Sequence, residues 1–254
     1  MDGHKGVALV TGGAKRIGAA IAADLADAGF SVAVHCNRSG READEIVSRI
    51  EGAGGRAQVF AADLSDIDSV GGLAARIAET LGPVRLLVNN ASVFEPDSAQ
   101  DPDWNLWEKH FALHLKAPVQ LAGEMVRRLP AGETGLIVNI VDQRVWRLTP
   151  HFFSYTLSKA ALWTATQTMA QAFAPRVRVN AIGPGPTLAN DRQQPDDLAA
   201  QQESLLLQKG PLLTEFGSTI RYLWETPSIT GQMIALDGGQ HLAWQTPDVT
   251  GMRE

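Results

Sequence analysis

Cysteine is almost absent from this chain, which has only Cys36 among its 254 residues. An intrachain disulfide is therefore impossible, and the chain suits a reducing compartment. No apolar run approaches the roughly 20 residues that a membrane-spanning helix requires. The apolar run near the first residue is also too short for a signal peptide. We expect a cytoplasmic protein with no membrane partner.

Excess positive charge, linkers and repeats are also missing. The formal net charge is -6, so the composition gives no indication of nucleic-acid binding. No linker rich in proline or serine and no internal repeat interrupts the chain. With 44% hydrophobic and 20% charged residues, the chain is predicted to form one globular domain over residues 1–254 with a substantial core.

The chain does contain a regular alternation of short β-branched runs and longer segments of helical period. Strands are predicted near residues 6–11, 31–35, 57–61, 86–88, 135–141, 178–181 and 233–236, and helices over about 15–28, 40–53, 67–80, 104–128, 152–173 and 218–224. Such alternation is typical of parallel strands joined by right-handed helical crossovers. We predict an α/β fold, a Rossmann-type doubly wound parallel sheet of about seven strands with helices on both faces. Its ligand should lie at the carboxyl ends of the strands.

The stretch over residues 183–216 breaks this alternation. It is long, contains several prolines and is polar apart from a weak helical patch over 198–207. A long insertion of this kind is either a mobile surface loop or an active-site lid. Because it follows a strand end, we expect a substrate lid over about 183–216.

A glycine-rich turn, TGGAKRIG over residues 11–18, follows the first predicted strand directly. Small residues there allow the backbone to approach phosphates, and the helix N-terminus that follows favours a pyrophosphate. A purely structural turn is the alternative. The candidate cofactor contacts in this turn are Gly12, Lys15, Arg16 and Ile17.

The second predicted strand ends in HCNRS over residues 35–39, with no acidic residue before Glu42. An acidic residue would bind the ribose hydroxyl of NAD, whereas the guanidinium of Arg38 can hold a 2′-phosphate. We therefore predict NADPH/NADP rather than NADH, with contacts from His35, Arg38 and Ser39. The alternative is a solvated turn that happens to contain an arginine.

Tyr155 and Lys159 lie four residues apart in a predicted helix, so their side chains project from one face. A lysine ammonium held there favours tyrosinate and lowers a pKa that starts at about 10. Tyr155 is then a candidate general acid. Asp142 lies thirteen residues upstream. The candidate catalytic residues are Asp142, Tyr155 and Lys159, although a tyrosine and a lysine at this spacing alone usually form a solvated surface contact.

These motifs together resemble the short-chain dehydrogenase/reductase family over essentially the whole chain. The resemblance also includes Asp63 at the end of the third strand, the NNA motif over 89–91, residues 180–185 and the DGG motif over 237–239. It implies a homotetramer that forms through the two long later helices. It also implies that the cofactor contacts include Asp63, Leu64, Asn89, Ala91, Tyr155, Lys159, Pro184 and Gly185.

Within that family the chain resembles the pteridine reductases and the related dihydromonapterin/dihydrofolate reductases. Arg16 stands where other members have glycine, and Asp142 stands where they have serine. The resemblance implies that the pterin contacts Arg16, Ser92, Phe94, Asp142 and Tyr155, with Phe94 stacking opposite the nicotinamide. Alternatively, Arg16 serves only the pyrophosphate and Phe94 packs a loop.

His114 occupies a position where family members generally carry an asparagine that completes a proton relay. An imidazole can donate or accept a proton, so His114 is a candidate for an altered relay. A buried structural histidine is the equal alternative. No metal site is predicted.

Asp142 is the main clue to the substrate. An ionised carboxylate about 4 Å from the growing oxyanion of a ketone costs roughly 4 kcal/mol at an effective dielectric of about 20. A pterin edge instead offers amine and N–H donors that a carboxylate can accept. A protonated Asp142, which would donate as serine does, remains the alternative.

We therefore expect an NADPH-dependent oxidoreductase that reduces C=N bonds of a pterin or dihydrofolate-like heterocycle. The first alternative is an NADPH-dependent carbonyl reductase that acts on a ketone or a 3-oxoacyl thioester. The second alternative, from another class, is a non-catalytic dinucleotide-binding sensor or assembly protein.

Overall fold

The computed structural model describes residues 5–189, 196–246 and 250. Its strands are β1 (Val7–Val10), β2 (Ser31–Cys36), β3 (Arg56–Ala61), β4 (Val84–Asn89), β5 (Gly135–Ile140), β6 (Val177–Pro184) and β7 (Met233–Leu236). They form one parallel sheet in the order β3-β2-β1-β4-β5-β6-β7. The chain therefore adds β2 and β3 on one side of β1, and then adds β4 to β7 on the other side. This reversal confirms the predicted doubly wound sheet.

The helices are α1 (Arg16–Asp27), α2 (Gly40–Gly52), α3 (Ile67–Thr80), α4 (Trp104–Phe111), α5 (Ala117–Arg128), α6 (Phe153–Phe173), α7 (Asp197–Glu203) and α8 (Leu213–Glu225). A π-helical turn, Ala112–Lys116, joins α4 to α5, so the helix predicted over 104–128 is continuous but not uniform. The last helix begins earlier than the predicted residue 218. The Glu215 side chain accepts a 2.7 Å hydrogen bond from the backbone N–H of Leu212 and so caps the added turn.

The two larger hydrophobic cores lie on opposite faces of the sheet. All four residues of β1 are buried, and they alternate between the two cores because successive strand side chains point to opposite faces. Ala8 and Val10 pack with α1 and α8 on one face. Val7 and Leu9 belong to the core that contains α3 and α5 residues on the other. Burial on both faces explains why the strands appear in the sequence as continuous apolar runs.

The strand order brings the carboxyl ends of β1 and β4 together. Val10 pairs with Val88, so the glycine turn after β1 lies beside the segment that follows β4. The predicted lid over 183–216 contains α7. Residues 190–195 of this segment lie outside the described residues. Within the described ranges, no helix has both the length and the apolarity needed to cross a membrane.

Candidate active site

The glycine turn packs closely against the segment after β4. Gly12 has a positive φ of 61°, and a Cβ added to it would lie 3.1 Å from the Cα of Ala91. A Cβ on Gly18 would overlap the carbonyl oxygen of Gly12. The Asn90 amide donates to the carbonyls of Thr11 and Gly12, at 2.9 and 3.2 Å. The turn thus requires glycine for close approach, as the sequence predicted.

Arg16 has a positive φ of 54°, a left-handed conformation that favours glycine. This backbone geometry accounts for the glycine that family members carry at the position. Its guanidinium donates to the carbonyl oxygens of Ala189 and Leu188, at 2.8 and 3.3 Å. Arg16 therefore lies between two adjoining cavities, of about 360 and 490 Å³, and lines both.

His35 is buried and connects the ends of three strands. Its Nδ1 accepts a 3.1 Å hydrogen bond from the backbone N–H of Gly12. Because Nδ1 accepts, Nε2 carries the proton and donates to the carbonyl of Ala62, at 3.1 Å. Burial lowers the pKa of His35 to about 4. His35, a predicted cofactor contact, thus bonds the backbone of the glycine turn and also lines the adjacent cavity.

A cavity of about 530 Å³ extends from the glycine turn across the ends of β2 and β3. Lys15 forms a 2.6 Å ion pair with Glu42 at its edge, and Arg38, which follows the end of β2, lines it. Asp63 accepts hydrogen bonds from the backbone N–H and hydroxyl of Ser65, and these bonds lower the pKa of Asp63. The predicted contacts that line this cavity are Gly12, Lys15, His35, Arg38, Ser39, Asp63, Leu64 and Ala91.

Asn89 differs from its predicted role, because its side chain is in the core. It is 4% exposed, and its amide donates to Asn139, at 2.8 Å. The next residue, Asn90, lines the groove instead and supports the glycine turn. Successive residues of a strand point to opposite sides, so adjacent asparagines face different surroundings, and the NNA motif by itself does not say which of them faces the groove.

Asp142 and Tyr155 are in direct contact. Asp142 follows the end of β5, and one of its carboxylate oxygens accepts a 2.9 Å hydrogen bond from the backbone N–H of Arg144. The other oxygen accepts a 2.9 Å hydrogen bond from the Tyr155 hydroxyl. Both residues line a cavity of about 360 Å³ together with Arg16, Ile17, Ala91, Ser92, Phe94, Lys159, Pro184 and Gly185.

The expectation that Lys159 lowers the pKa of Tyr155 is wrong for this arrangement. Lys159 Nζ donates to the carbonyl of Ile140, at 2.8 Å, and lies 5.8 Å from the centroid of the Tyr155 ring. Burial first, and then the charge and hydrogen bond of Asp142, raise the pKa of Tyr155 well above its ordinary value. Burial also lowers the pKa of Lys159 to about 8. Burial and the neighbouring carboxylate thus keep Tyr155 protonated as a donor.

His114 lies in the π-helical turn and is bonded on both ring nitrogens. Nε2 accepts from the backbone N–H of Val93, at 3.2 Å, and lies 3.0 Å from the hydroxyl of Ser92. Because Nε2 accepts, Nδ1 carries the proton and donates to the hydroxyl of Ser158, at 2.8 Å. Burial lowers the pKa of His114 well below its ordinary value. His114 is therefore a neutral imidazole that orients the Ser92 segment.

Aromatic residues form one wall of the substrate cavity. Phe94 stacks on Phe152 with ring centroids 4.1 Å apart and meets the Tyr155 ring edge-on, at 4.8 Å. Arg144 lies beside both phenylalanine rings. The sequence predicted Phe94 but not Phe152 or Arg144, because only the tertiary structure brings these separate segments together.

Comparison with known proteins identifies the family. The family model for short chain dehydrogenases matches residues 6–197. A solved structure of FolM alternative dihydrofolate reductase 1 from Brucella canis, complexed with NADP, is 58% identical, with a TM-score of 0.95, over 98% of this chain and 99% of that chain.

Two curated relatives have different named activities. Dihydromonapterin reductase from Shigella flexneri is 30% identical over 240 residues, or 92% of this chain and 96% of that protein. A 3-oxoacyl-[acyl-carrier-protein] reductase from Staphylococcus epidermidis is 28% identical over 240 residues, or 92% of this chain and 98% of that protein. With the fold, the glycine turn and the Tyr155 site already in place, these matches mean that the chain belongs to the short-chain dehydrogenase family.

Proposed function

We propose that this protein is an NADPH-dependent oxidoreductase that reduces a C=N bond of a pterin or dihydrofolate-like heterocycle. The observation that carries the proposal is the 2.9 Å hydrogen bond between the Tyr155 hydroxyl and the Asp142 carboxylate. The FolM alternative dihydrofolate reductase and dihydromonapterin reductase relatives support the same substrate class.

The residues of the glycine turn and the strand ends fit NADP. Gly12 and Gly18 leave a cradle that side chains would fill, so the backbone can approach a pyrophosphate. Arg38 would hold the 2′-phosphate, and no acidic residue in 35–39 opposes it. Asp63 and Leu64 would contact the adenine, while Lys159 would bind the nicotinamide ribose. When bound, the reduced nicotinamide supplies the hydride.

Tyr155 and Asp142 would provide the proton and the orientation of the substrate. The Tyr155 hydroxyl is a donor whose raised pKa keeps it protonated at neutral pH, and it would give a proton to the ring nitrogen as the neighbouring carbon is reduced. Asp142 would accept hydrogen bonds from the N–H groups of the pterin edge. Phe94 would stack on the pterin, and Ser92 and Arg16 would complete the contacts.

The same arrangement disfavours a ketone substrate. The oxygen of a ketone gains negative charge on reduction and requires donors, whereas Asp142 presents a carboxylate oxygen beside Tyr155. The 3-oxoacyl reductase relative makes the carbonyl reaction the competing function. Its identity of 28% gives it less support than the 58% of the FolM structure.

The test is NADPH oxidation measured with dihydrobiopterin, dihydromonapterin and dihydrofolate beside a panel of ketones and a 3-oxoacyl thioester. We expect turnover of at least one reduced pterin and little turnover of the carbonyl panel. Rapid reduction of ketones without any pterin turnover would select the carbonyl reductase. Tight NADPH binding without turnover of either panel would select the non-catalytic sensor.

The assembly and the location of the protein extend the proposal. We infer a homotetramer, supported by exposed large apolar residues such as Trp146, Leu157 and Trp244. Light scattering tests it, and a monomeric mass would contradict it. The single buried Cys36 supports a reducing, cytoplasmic location, which fractionation of the source cells would test.

The segment over about 183–216 would act as a substrate lid. The bonds from Arg16 to the carbonyls of Leu188 and Ala189 support this role, because they link the segment to the glycine turn. Limited proteolysis with and without NADPH and folate tests it. Ligands should protect this segment from cleavage, and equal cleavage rates would argue against a lid.

A further inference from the structure

Two buried histidines lie beside the ring of Tyr155. His110 belongs to the last turn of α4, and His114 follows four residues later in the π-helical turn. Their side chains are 0% and 1% exposed. The two imidazoles stack, with ring centroids 5.3 Å apart, and each lies nearly perpendicular to the phenol ring, at 5.8 and 5.4 Å. The proton donor of the proposed reaction therefore packs against two imidazole rings.

Each imidazole bonds a serine of α6. The Nδ1 atom of His110 lies 2.8 Å from the hydroxyl of Ser154, and the Nδ1 atom of His114 lies 2.8 Å from the hydroxyl of Ser158. The serines are four residues apart, so they lie on one face of α6. These two histidine–serine pairs connect the segment that contains both histidines to the helix that carries Tyr155.

The backbone of Tyr155 is fixed through the same serines. The hydroxyl of Ser158 donates to the carbonyl of Tyr155, at 2.7 Å. The backbone N–H of Ser154 donates to the carboxylate of Asp97, at 3.0 and 3.2 Å. This N–H belongs to the first turn of α6, where backbone N–H groups have no partner within the helix. Bonds on both sides of Tyr155 thus determine where its side chain begins.

His110 is the member of this group with a nitrogen left unpaired. Its Nε2 atom has no hydrogen-bond partner among the residues that the structure describes, although buried polar atoms are normally bonded. Burial lowers the pKa of His110, so the imidazole is neutral at pH 7. A leucine that faced an alanine would leave no unpaired group and would be nearly neutral for stability. Stability alone thus does not require the His110–Ser154 pair, and a role in the reaction accounts for it.

We propose that His110 is a positioning residue for the proton transfer, because its bond to Ser154 holds the neighbouring Tyr155 against Asp142. The inference rests on the proposed function above, in which Tyr155 gives the proton. His110 is not among the described residues that line the three cavities, so it acts through Tyr155 and not on a ligand. A displacement of about 1 Å in a reacting group can lower a rate about a hundredfold. Loss of the pair should therefore reduce kcat and spare binding.

The first experiment compares His110→Leu with His110→Asn in NADPH oxidation with dihydrobiopterin, dihydromonapterin and dihydrofolate. His110→Leu should lower kcat about tenfold to a hundredfold, while KM for the pterin and Kd for NADPH stay within about twofold. The amide of an asparagine lies near the position of Nδ1 and can bond the Ser154 hydroxyl. His110→Asn should therefore keep kcat within about threefold of the wild type. Equal losses of kcat in the two variants would overturn the inference.

His151→Asn is the matched control, because it replaces an exposed histidine that precedes the same helix. It should leave kcat and KM unchanged. His110→Gln is a second control, since its longer side chain places the amide near the position of Nε2 and away from Ser154. It should lose kcat as His110→Leu does, and full activity in His110→Gln would contradict the need for the bond at Nδ1.

The double variant His110→Leu/Ser154→Ala separates positioning from stability. Because both partners become apolar, no hydroxyl is left unpaired, and the urea midpoint at pH 7 should return toward that of the wild type. The value of kcat should stay as low as in His110→Leu. Recovery of kcat together with stability would mean that the pair serves the fold alone, and it would overturn the inference.

Tyrosine NMR tests the inference without turnover. The chain has two tyrosines, so Tyr222→Phe, a change at an exposed position of α8, leaves Tyr155 as the single labelled tyrosine. In this background, Asp142→Ala gives the ¹³Cζ signal of a phenol that has lost its carboxylate partner. His110→Leu should move the Tyr155 signal toward that position, and His110→Asn should not. An unmoved signal in His110→Leu would overturn the inference, whereas absence of pterin turnover in the wild type would overturn the proposed function.

Discussion

The buried polar side chain beside the glycine turn bonds main-chain groups, whereas the hydroxyl of Tyr155 bonds another side chain. In the cofactor region, defined as residues 11–18, 35–39 and 62–65, His35 bonds the N–H of Gly12 and the carbonyl of Ala62. In the substrate region, defined as Phe94, 142–144, 152 and 155, the Tyr155 hydroxyl bonds the Asp142 carboxylate. The glycine turn of the first region is specified by main-chain geometry, which a short motif encodes. The second depends on contacts between segments that are distant in sequence.

Tyr155→Phe should have the largest effect, because it removes the proton donor and leaves the cavity shape nearly unchanged. We expect kcat for the reduced pterin to fall about a thousandfold. The Kd for NADPH, measured by fluorescence, should stay within about threefold, since the cofactor region does not use this hydroxyl for binding energy. Retention of most of the activity would mean that another group supplies the proton.

Asp142→Ala should have the next largest effect, a loss of about a hundredfold in kcat/KM for the pterin. The carboxylate would no longer accept from the pterin edge, while the cofactor region would be unaltered. Steady-state kinetics and NADPH binding measure the two effects separately. The matched variant Asp142→Ser should instead raise ketone reduction, because a hydroxyl can donate to an oxyanion; unchanged activity in Asp142→Ala would contradict the role of the carboxylate.

Arg38→Ala tests the cofactor region in the same way. Loss of a charge-assisted contact to the 2′-phosphate should raise the KM for NADPH by about 10-fold to 100-fold. The kinetics with NADH should change less than about twofold, because NADH has no phosphate at that position. An equal effect on both cofactors would show that Arg38 stabilises the loop and does not select the cofactor.

His35→Asn should change turnover least of the four variants, because its main effect is on stability. Burial lowers the pKa of His35 from 6.5 to about 4, so the unfolded chain takes up a proton before the folded one does. The stability contributed by neutral His35 is complete above pH 6.5 and is lost as the pH falls toward 4, by about 3 kcal/mol.

Urea unfolding at pH 7 and at pH 4.5 should show a larger loss in the wild type than in His35→Asn. Both proteins share the other acid-sensitive groups, so the difference between the two losses isolates His35. Equal losses would mean that the folded protein accommodates the protonated imidazole.

Several parts of the site could be predicted because their determinants are local. The glycine turn depends on close backbone approach, and Gly12 and Gly18 show it directly. Tyr155 and Lys159 lie on one helix, so their spacing fixes their common face. The direction of the Tyr155 pKa was predicted wrongly, because burial and Asp142 raise it while Lys159 bonds the carbonyl of Ile140. The spacing of two residues along a helix does not predict which other group each side chain will bond.

The sequence by itself determined the parallel sheet, the position of the glycine turn and the replacement of serine by Asp142. These follow from hydrophobic period and residue type, which act over a few residues. Only the tertiary structure decided that His35 supports the turn, that Asn89 is buried, and that Phe152 and Arg144 form a wall of the cavity. Burial, hydrogen-bond partners and pKa depend on which distant segments meet, and that is fixed when the strands assemble and the two cores pack.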